Sequence, residues 1–367
     1  MLSSMTRQTV TLDVPPPANR SLVILTGGLR SGEQAWTSLY KNILDPNSAD
    51  LALMIEKQSS EPLYPNSTLF ERAKYTWFFD DYKDWAEAID LINGTSWRTT
   101  HLPRFKSKKN GFTILFGGIE HLKGSAIIIF MIRWFLLNNI KKSDILEKYD
   151  TFVVTRTDHF YQCPHMFTEL DYSNNTVWVP EGETYHGYTD RYYTISRENL
   201  LASLNLIEPL IQEPFRYDVN KHRNSESFTK YVWDKNGFNV KSFPRVMFTT
   251  ATKYDTTRWK EGGERVRGVP GLLKKYKKEY TMTQENCPPI SNPTCEVGIL
   301  DSTKSFCCLE SCGVCGADDC ASRPGGARGC CTAKIRKKAK SCDANVAPCL
   351  IWENLLNVEK KIEQRID

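Results

Sequence analysis

The sequence predicts an α/β protein: a mostly parallel central sheet with helices on both faces, followed by a small disulfide-rich module at the C-terminal end. Three observations predict it. Apolar strand candidates alternate with helical stretches from residue 21 to residue 280. The first strand runs directly into a glycine-rich turn and a helix, the unit with which doubly wound sheets begin. Of the 12 cysteines, only Cys163 precedes Cys287; the other 11 fall between Cys287 and Cys349.

Each element follows from its pattern. Residues 1–20 are polar and contain Pro15-Pro16-Pro17, which predicts a disordered lead-in. Ser21–Leu25 is a nearly continuous apolar run and reads as a buried strand. After the turn Thr26–Gly32, the stretch Glu33–Leu44 carries Trp36, Leu39, Tyr40 and Ile43 on one helical face. Asp50–Ile55 and Gly111–Phe116 are the next strand candidates. The aromatic and polar stretch 61–110 between them holds a predicted helix over Asp80–Ile92. Gly124-Ser125 opens the apolar helix Ala126–Asn139, which contains Arg133 and is too short to cross a bilayer. Tyr149–Thr155 is the clearest buried strand, and it stops abruptly at Arg156-Thr157-Asp158-His159. Thr176–Pro180 and Tyr192–Ile195 read as further strands, Arg197–Ile211 as helix and Met247–Thr250 as a late strand. Gly262–Tyr280 is rich in Gly and Lys and reads as a linker or peripheral helix. The α/β domain therefore spans 21–280, the Cys-rich module 287–350 and a short charged amphipathic tail 351–367.

Composition narrows the function classes. Charged residues are 25% and the net charge is +5, with no long basic stripe, which argues against nucleic acid as a partner. No run reaches the length of a membrane span. The cysteine segment has one C-x-x-C (Cys312, Cys315), two vicinal pairs (Cys307-Cys308, Cys330-Cys331) and no histidine. Zinc sites favour two separated Cys/His pairs, so these cysteines read as disulfides. N-x-S/T sequons at Asn19, Asn66, Asn93 and Asn174 agree with an oxidising, glycosylating compartment: the secretory pathway, in the Golgi lumen or outside the cell. Residues 1–20 show no apolar core of a signal peptide, so the expectation is that a signal or anchor was removed or lies outside this chain.

Four stretches carry chemistry. Gly27, Gly28 and Arg30 follow the first strand, where backbone amides and a helix start favour an anion; the same turn also serves as a plain strand-to-helix connection. Arg156 and Asp158 end the central strand, where open α/β sheets bind ligands. Charge at the end of a buried strand needs a partner or a metal, and an Arg–Asp pair is the simpler account. The acidic loop Pro180–Arg191 offers Glu181, Glu183 and Asp190 as acceptor-hydroxyl ligands or general base, with Tyr185 and Tyr188 for sugar stacking; an exposed hairpin explains it equally. Asp255, Arg258 and Trp259 would close over a nucleotide or simply cap the domain. The motifs of serine hydrolases, zinc proteases and kinases are missing.

Three blocks carry a resemblance: Leu25–Leu44 (LTGGLRSGEQAWTSLYKNIL), Tyr149–His165 (YDTFVVTRTDHFYQCPH) and Val177–Leu201 (VWVPEGETYHGYTDRYYTISRENLL). They resemble glycosyltransferase-like proteins related to lipopolysaccharide and capsule biosynthesis, over roughly residues 20–260. The resemblance implies a GT-A-like, Rossmann-related fold, a nucleotide-sugar donor and a divalent metal, Mn²⁺ or Mg²⁺, held by an acidic strand-end motif. Asp158 stands at that position, and Asp190 with Arg191 matches the family's acceptor-side Asp-Arg. Standard GT-A enzymes carry D-x-D, whereas this chain reads Asp158-His159-Phe160. The tail resembles a Cys-rich module of secreted algal and protist proteins. That resemblance implies five bridges among Cys295, Cys307, Cys308, Cys312, Cys315, Cys320, Cys330, Cys331, Cys342 and Cys349, leaving Cys163 and Cys287 to pair with each other.

The expectation is thus a glycosyltransferase moving a sugar from a nucleotide-sugar to a glycan or glycoprotein acceptor. Gly27, Gly28, Arg30 and Arg156 would hold the diphosphate, Asp158 the metal, and Glu183 or Asp190 the acceptor hydroxyl. The alternative is a non-catalytic secreted carbohydrate- or cell-wall-binding protein on the same fold.

Overall fold

The computed structural model describes residues 20–57, 67–92, 96–100, 102, 114–120, 122, 124–212, 224–252, 255, 263–290, 299–300 and 307–308. The lead-in up to Asn19, the tail, the sequons at Asn19, Asn66 and Asn93, and Arg258 and Trp259 lie outside these residues. So does most of the Cys-rich module, including eight of its ten predicted disulfide cysteines. Cys307–Cys308 pairs antiparallel with Ile299–Leu300.

The main sheet has seven strands. Strands β1 (Ser21–Gly27), β2 (Asp50–Glu56), β3 (Ala73–Phe79) and β4 (Thr151–Arg156) pair in parallel in the order β3-β2-β1-β4. Strand β7 (Tyr193–Ser196) then runs antiparallel between β4 and β6 (Thr176–Pro180), and β8 (Asn239–Phe243) closes the sheet parallel to β6. Four of the six pairings are parallel, so the predicted mostly parallel sheet is present, with β7 reversed.

The continuous apolar runs follow from burial on both faces. Side chains alternate across a strand, so Leu22 and Ile24 enter one core while Val23 and Leu25 enter the other. The first core is roofed by the helix α5 (Ala126–Lys141), the second by α1 (Gly32–Leu39), which runs on as a π turn to Leu44. Helix α5 is apolar almost all round because it is buried. Its one buried charge, Arg133, donates from Nη2 to the Asp190 carbonyl at 2.5 Å. Among the described residues, no helix is long and apolar enough to cross a membrane.

A second sheet grows from the end of β4. After the turn Thr157-Asp158, strand β5 (His159–Tyr161) pairs antiparallel with β9 (Met247–Ala251), and the sheet continues through β11 (Leu273–Lys274) to β10 (Glu264–Arg265). Helix α10 (Lys277–Asn286) packs on β9. A disulfide joins Cys163, just after β5, to Cys287 at the end of that helix, with Cα atoms 5.7 Å apart. This is the pairing the resemblance implied.

Four expectations are corrected. Within Gly111–Phe116, the described part Ile114–Phe116 is a 3₁₀ turn, and the third parallel strand is Ala73–Phe79. That strand is an edge strand with Lys74 and Phe78 exposed, so it lacks the apolar run of its neighbours. Asp80–Ile92 contributes only the short helix α3 (Ala86–Ile89). Arg197–Ile211 breaks at Asn205 into α7 (Arg197–Leu204) and α8 (Ile207–Gln212). Gly262–Tyr280 is no peripheral linker: it supplies β10, β11 and the start of α10, with Lys275 and Glu279 buried. Strand β8 and the helix α9 (Ser225–Lys235) were not anticipated.

The Cys163–Cys287 bridge closes a loop of 124 residues and pins α10 to the second sheet. Replacing both cysteines by serine is expected to lower the unfolding free energy by about 3 kcal/mol, measured in urea under non-reducing conditions.

Candidate functional site

A cleft of about 360 Å³ opens at the carboxyl ends of β1 and β4, the edge where ligands enter open α/β sheets. Its floor is the turn after β1. Gly27 has φ of +109°, a backbone geometry that strains any other residue, and a Cβ there would meet nothing within 4 Å. The glycine is needed for its conformation, and the space beside it is the cleft. The turn is stitched to its surroundings. Asp255 accepts from the Ser31 and Thr252 amides at 3.0 and 2.7 Å, and Thr157 Oγ1 donates to the Gly28 carbonyl at 2.6 Å. Asp255 therefore fastens the turn, as the capping reading held.

Arg156 and Asp158 project from the end of β4. Asp158 is 1% exposed, and its two oxygens accept from Arg156 Nε and Nη2 at 2.7 and 2.6 Å. Lys275 Nζ lies 3.8 Å away. Burial alone would raise the Asp158 carboxyl, but Arg156, Lys275 and Arg30 hold it well below the usual carboxylate range. Burial lowers the Lys275 amine to about 8, with Arg156, Arg30 and Arg191 pushing the same way against Asp158.

The opposite side of the cleft is acidic. Asp190 is 9% exposed; its carbonyl is fixed by Arg133 and its carboxylate lies 4.0 Å from Arg191 Nε. Arg191 makes its main ion pair with Glu279 rather than with Asp190, and its guanidinium lies 4.4 Å from the centre of the Tyr276 ring. Glu279 also accepts from the Thr249 amide and hydroxyl, both at 2.8 Å, and faces Arg245 at 3.5 Å. Burial would raise its carboxyl, yet Arg191 and Arg245 bring it down to about 2.

Glu226 completes the acidic side, and sequence reasoning missed it. It sits in the first turn of α9, a favoured place for a carboxylate. Asn224 and Ser227 cap that helix reciprocally. Burial and the neighbouring Asp190 raise its carboxyl above the ordinary range. The acidic loop presses on it so closely that a Cβ at Gly187 would lie 2.0 Å from the Glu226 carbonyl oxygen. The capping pair around Asn224 was a readable signal of a helix start, but nothing in the sequence placed that start opposite Asp158.

The structure thus brings Gly27, Gly28, Arg30, Arg156, Asp158 and Asp190 into one cleft with Tyr185, Glu226, Lys275 and Tyr276. Glu183 lines an adjoining recess with Lys274, Lys277 and Lys278, which shares Tyr185, Lys275 and Tyr276 with the cleft. Tyr188 stacks on Trp233 and donates to Asp234, a packing role. His159 and His165 are core residues whose burial lowers them to about 3 and about 4.

The expected Mn²⁺ or Mg²⁺ does not suit this donor set. Both Asp158 oxygens are engaged by a guanidinium, an ammonium stands beside them, and divalent ions of this kind want about six oxygen ligands. Among the described residues, no three His, Cys, Asp or Glu side chains are grouped to hold an ion. Neither a protein-family model nor a curated protein matches the chain.

Removing the carboxylate of Glu279 leaves two buried arginines facing each other. Glu279→Gln is expected to cost about 3 kcal/mol in urea unfolding at neutral pH. The sign with pH follows from the depressed folded value. The Glu279 contribution is complete above the ordinary carboxyl value of 4.5 and is lost as pH falls toward 2, so the gap between wild type and variant should close over that window.

Proposed function

We propose that the protein is a GT-A-type glycosyltransferase that takes a sugar from a nucleotide-sugar donor and passes it to a glycan or glycoprotein hydroxyl. The observation that carries this reading is the polarity of one cleft: Arg30, Arg156 and Lys275 beside a glycine turn, facing Asp190 and Glu226. The cationic side suits a diphosphate, and the apolar wall of Phe79, Trp85 and Ile129 suits the flat face of a base or sugar ring. As the bond between sugar and diphosphate breaks, negative charge grows on the leaving group, and fixed cations there lower the barrier. The acceptor hydroxyl lies against Asp190 and Glu226, one of which takes its proton. Tyr185, 40% exposed at the mouth, offers a stacking face for the acceptor sugar.

The Cys163–Cys287 bridge supports a secretory location, in the Golgi lumen or outside the cell. The sequon at Asn174 lies exposed in the turn before β6, which agrees with it.

The test is release of UDP or GDP from a panel of nucleotide-sugars, with and without glycan acceptors. Glu226→Gln is expected to cut turnover about 100-fold or more while leaving donor affinity unchanged. The wild-type rate should rise with pH along a limb displaced above the ordinary carboxylate range, because Glu226 must lose its proton to act as a base, and the variant should lose that limb. Glycan retention without any nucleotide release would instead favour the carbohydrate-binding alternative.

A further inference from the structure

We infer that the cleft holds the donor diphosphate without a divalent ion, because Arg30, Arg156 and Lys275 occupy the place and supply the charge that a metal would bring. The inference rests on the donor reading above and specifies how that site works.

The charge balance is local. Three cations act on Asp158: Arg156, Lys275 and Arg30. Asp158 cancels one of them, and the two positive charges left in this group equal those of Mn²⁺ or Mg²⁺; Glu56, Asp81, Asp190 and Glu226 also line the cleft but are not among the charges that act on Asp158. Asp158 and its three cations line the same cleft beside Gly27. Asp255 also feels Arg30, but it does not line the cleft, and its charge is directed at the Ser31 and Thr252 amides behind the turn. Arg191 adds no free charge there, since Glu279 takes it.

Geometry points the same way. Asp158 is enclosed by a two-point contact with Arg156, so its carboxylate acts as a brace that sets the direction of the guanidinium. A metal at Asp158 would have to displace that guanidinium and sit close to the Lys275 ammonium, now 3.8 Å from Asp158. A diphosphate needs neither change: its oxygens meet the guanidinium edge and the ammonium directly. Lys275 is held in place from both sides, its amide bonded to the Thr249 carbonyl at 3.0 Å and the helix just beyond it tied down by the Cys163–Cys287 bridge.

The test is calorimetric titration of the intact chain with pyrophosphate, UDP and GDP, in EDTA and in Mn²⁺. Binding in EDTA within about twofold of binding in Mn²⁺ supports the inference, as does weakening with added salt. Arg30→Gln and Lys275→Gln should each weaken binding about tenfold or more, with folding checked by the unchanged urea midpoint. Lys275 faces Asp158, Arg156, Arg30, Arg191 and Tyr276, and loses its proton near pH 8. Wild-type affinity should therefore fall between pH 7 and 9, and that fall should be missing in Lys275→Gln. Binding that vanishes in EDTA and returns with Mn²⁺ overturns the inference and leaves sugar transfer standing. Pyrophosphate bound in EDTA without either nucleotide supports the cationic site and sinks the donor reading. No binding of any of the three probes overturns both.

Discussion

The pair of Arg156 and Asp158 is the constraint on which the site depends. A buried strand ends there, and the chain must turn out of the main sheet into the second one through Thr157 and Asp158. A carboxylate 1% exposed at that turn would be very costly alone. The guanidinium two residues earlier removes most of that cost, but it leaves a positive surplus once Lys275 and Arg30 are added. The glycine turn beside it brings no carboxylate, and the cleft's other carboxylates are Glu56, Asp81, Asp190 and Glu226. The side of the cleft formed by the β1 turn, the end of β4 and Lys275 is therefore electropositive, and an anion suits it.

A second network holds the opposite wall. Arg191, Glu279 and Arg245 link the acidic loop, α10 and β9, and Arg245 also donates to the Glu181 and Gly182 carbonyls at 2.7 and 3.1 Å. From the other side, Arg133 of α5 fixes the Asp190 carbonyl, and the Tyr188 amide donates to the Glu226 carbonyl at 3.1 Å. One irregular loop is thus held by three helices. Such anchoring keeps Asp190 and Glu226 in place before any ligand arrives, which is the condition for electrostatic preorganisation.

The legible parts of the sequence were those whose surroundings are uniform. β1 and β4 are buried on both faces and α5 is at least half-buried along nearly its whole length, so their apolar runs announce them. Gly27, Arg156 and Asp158 were legible because a charged or glycine-rich break in such a run is conspicuous. β3 and β8 lie at the two edges of the sheet, where one side meets solvent and the pattern fades. Lys275 and Glu226 look in sequence like a surface lysine in a Lys-rich stretch and an acidic residue near a helix start. Only the pairing of β11 with β9 and the close approach of Gly187 to α9 bring them inside. Glu183 shares the acidic loop with Asp190, but it lines the adjoining recess, which meets the cleft at Tyr185, Lys275 and Tyr276.

The two walls impose a direction on any ligand. Carboxylates that repel each other, as Asp190 and Glu226 do, are tolerated when one of them can hold a proton, and burial raises Glu226 to that end. The cationic wall works in the opposite sense, keeping Asp158 ionised and Lys275 easier to deprotonate. A molecule that is anionic at one end and carries a hydroxyl proton near the other fits both walls at once; reversed, it would place its charge against the carboxylates. This asymmetry selects orientation as well as affinity. It arises from five segments distant in sequence: the β1 turn, the β4 end, the acidic loop with Asp190, the start of α9 and the segment before α10.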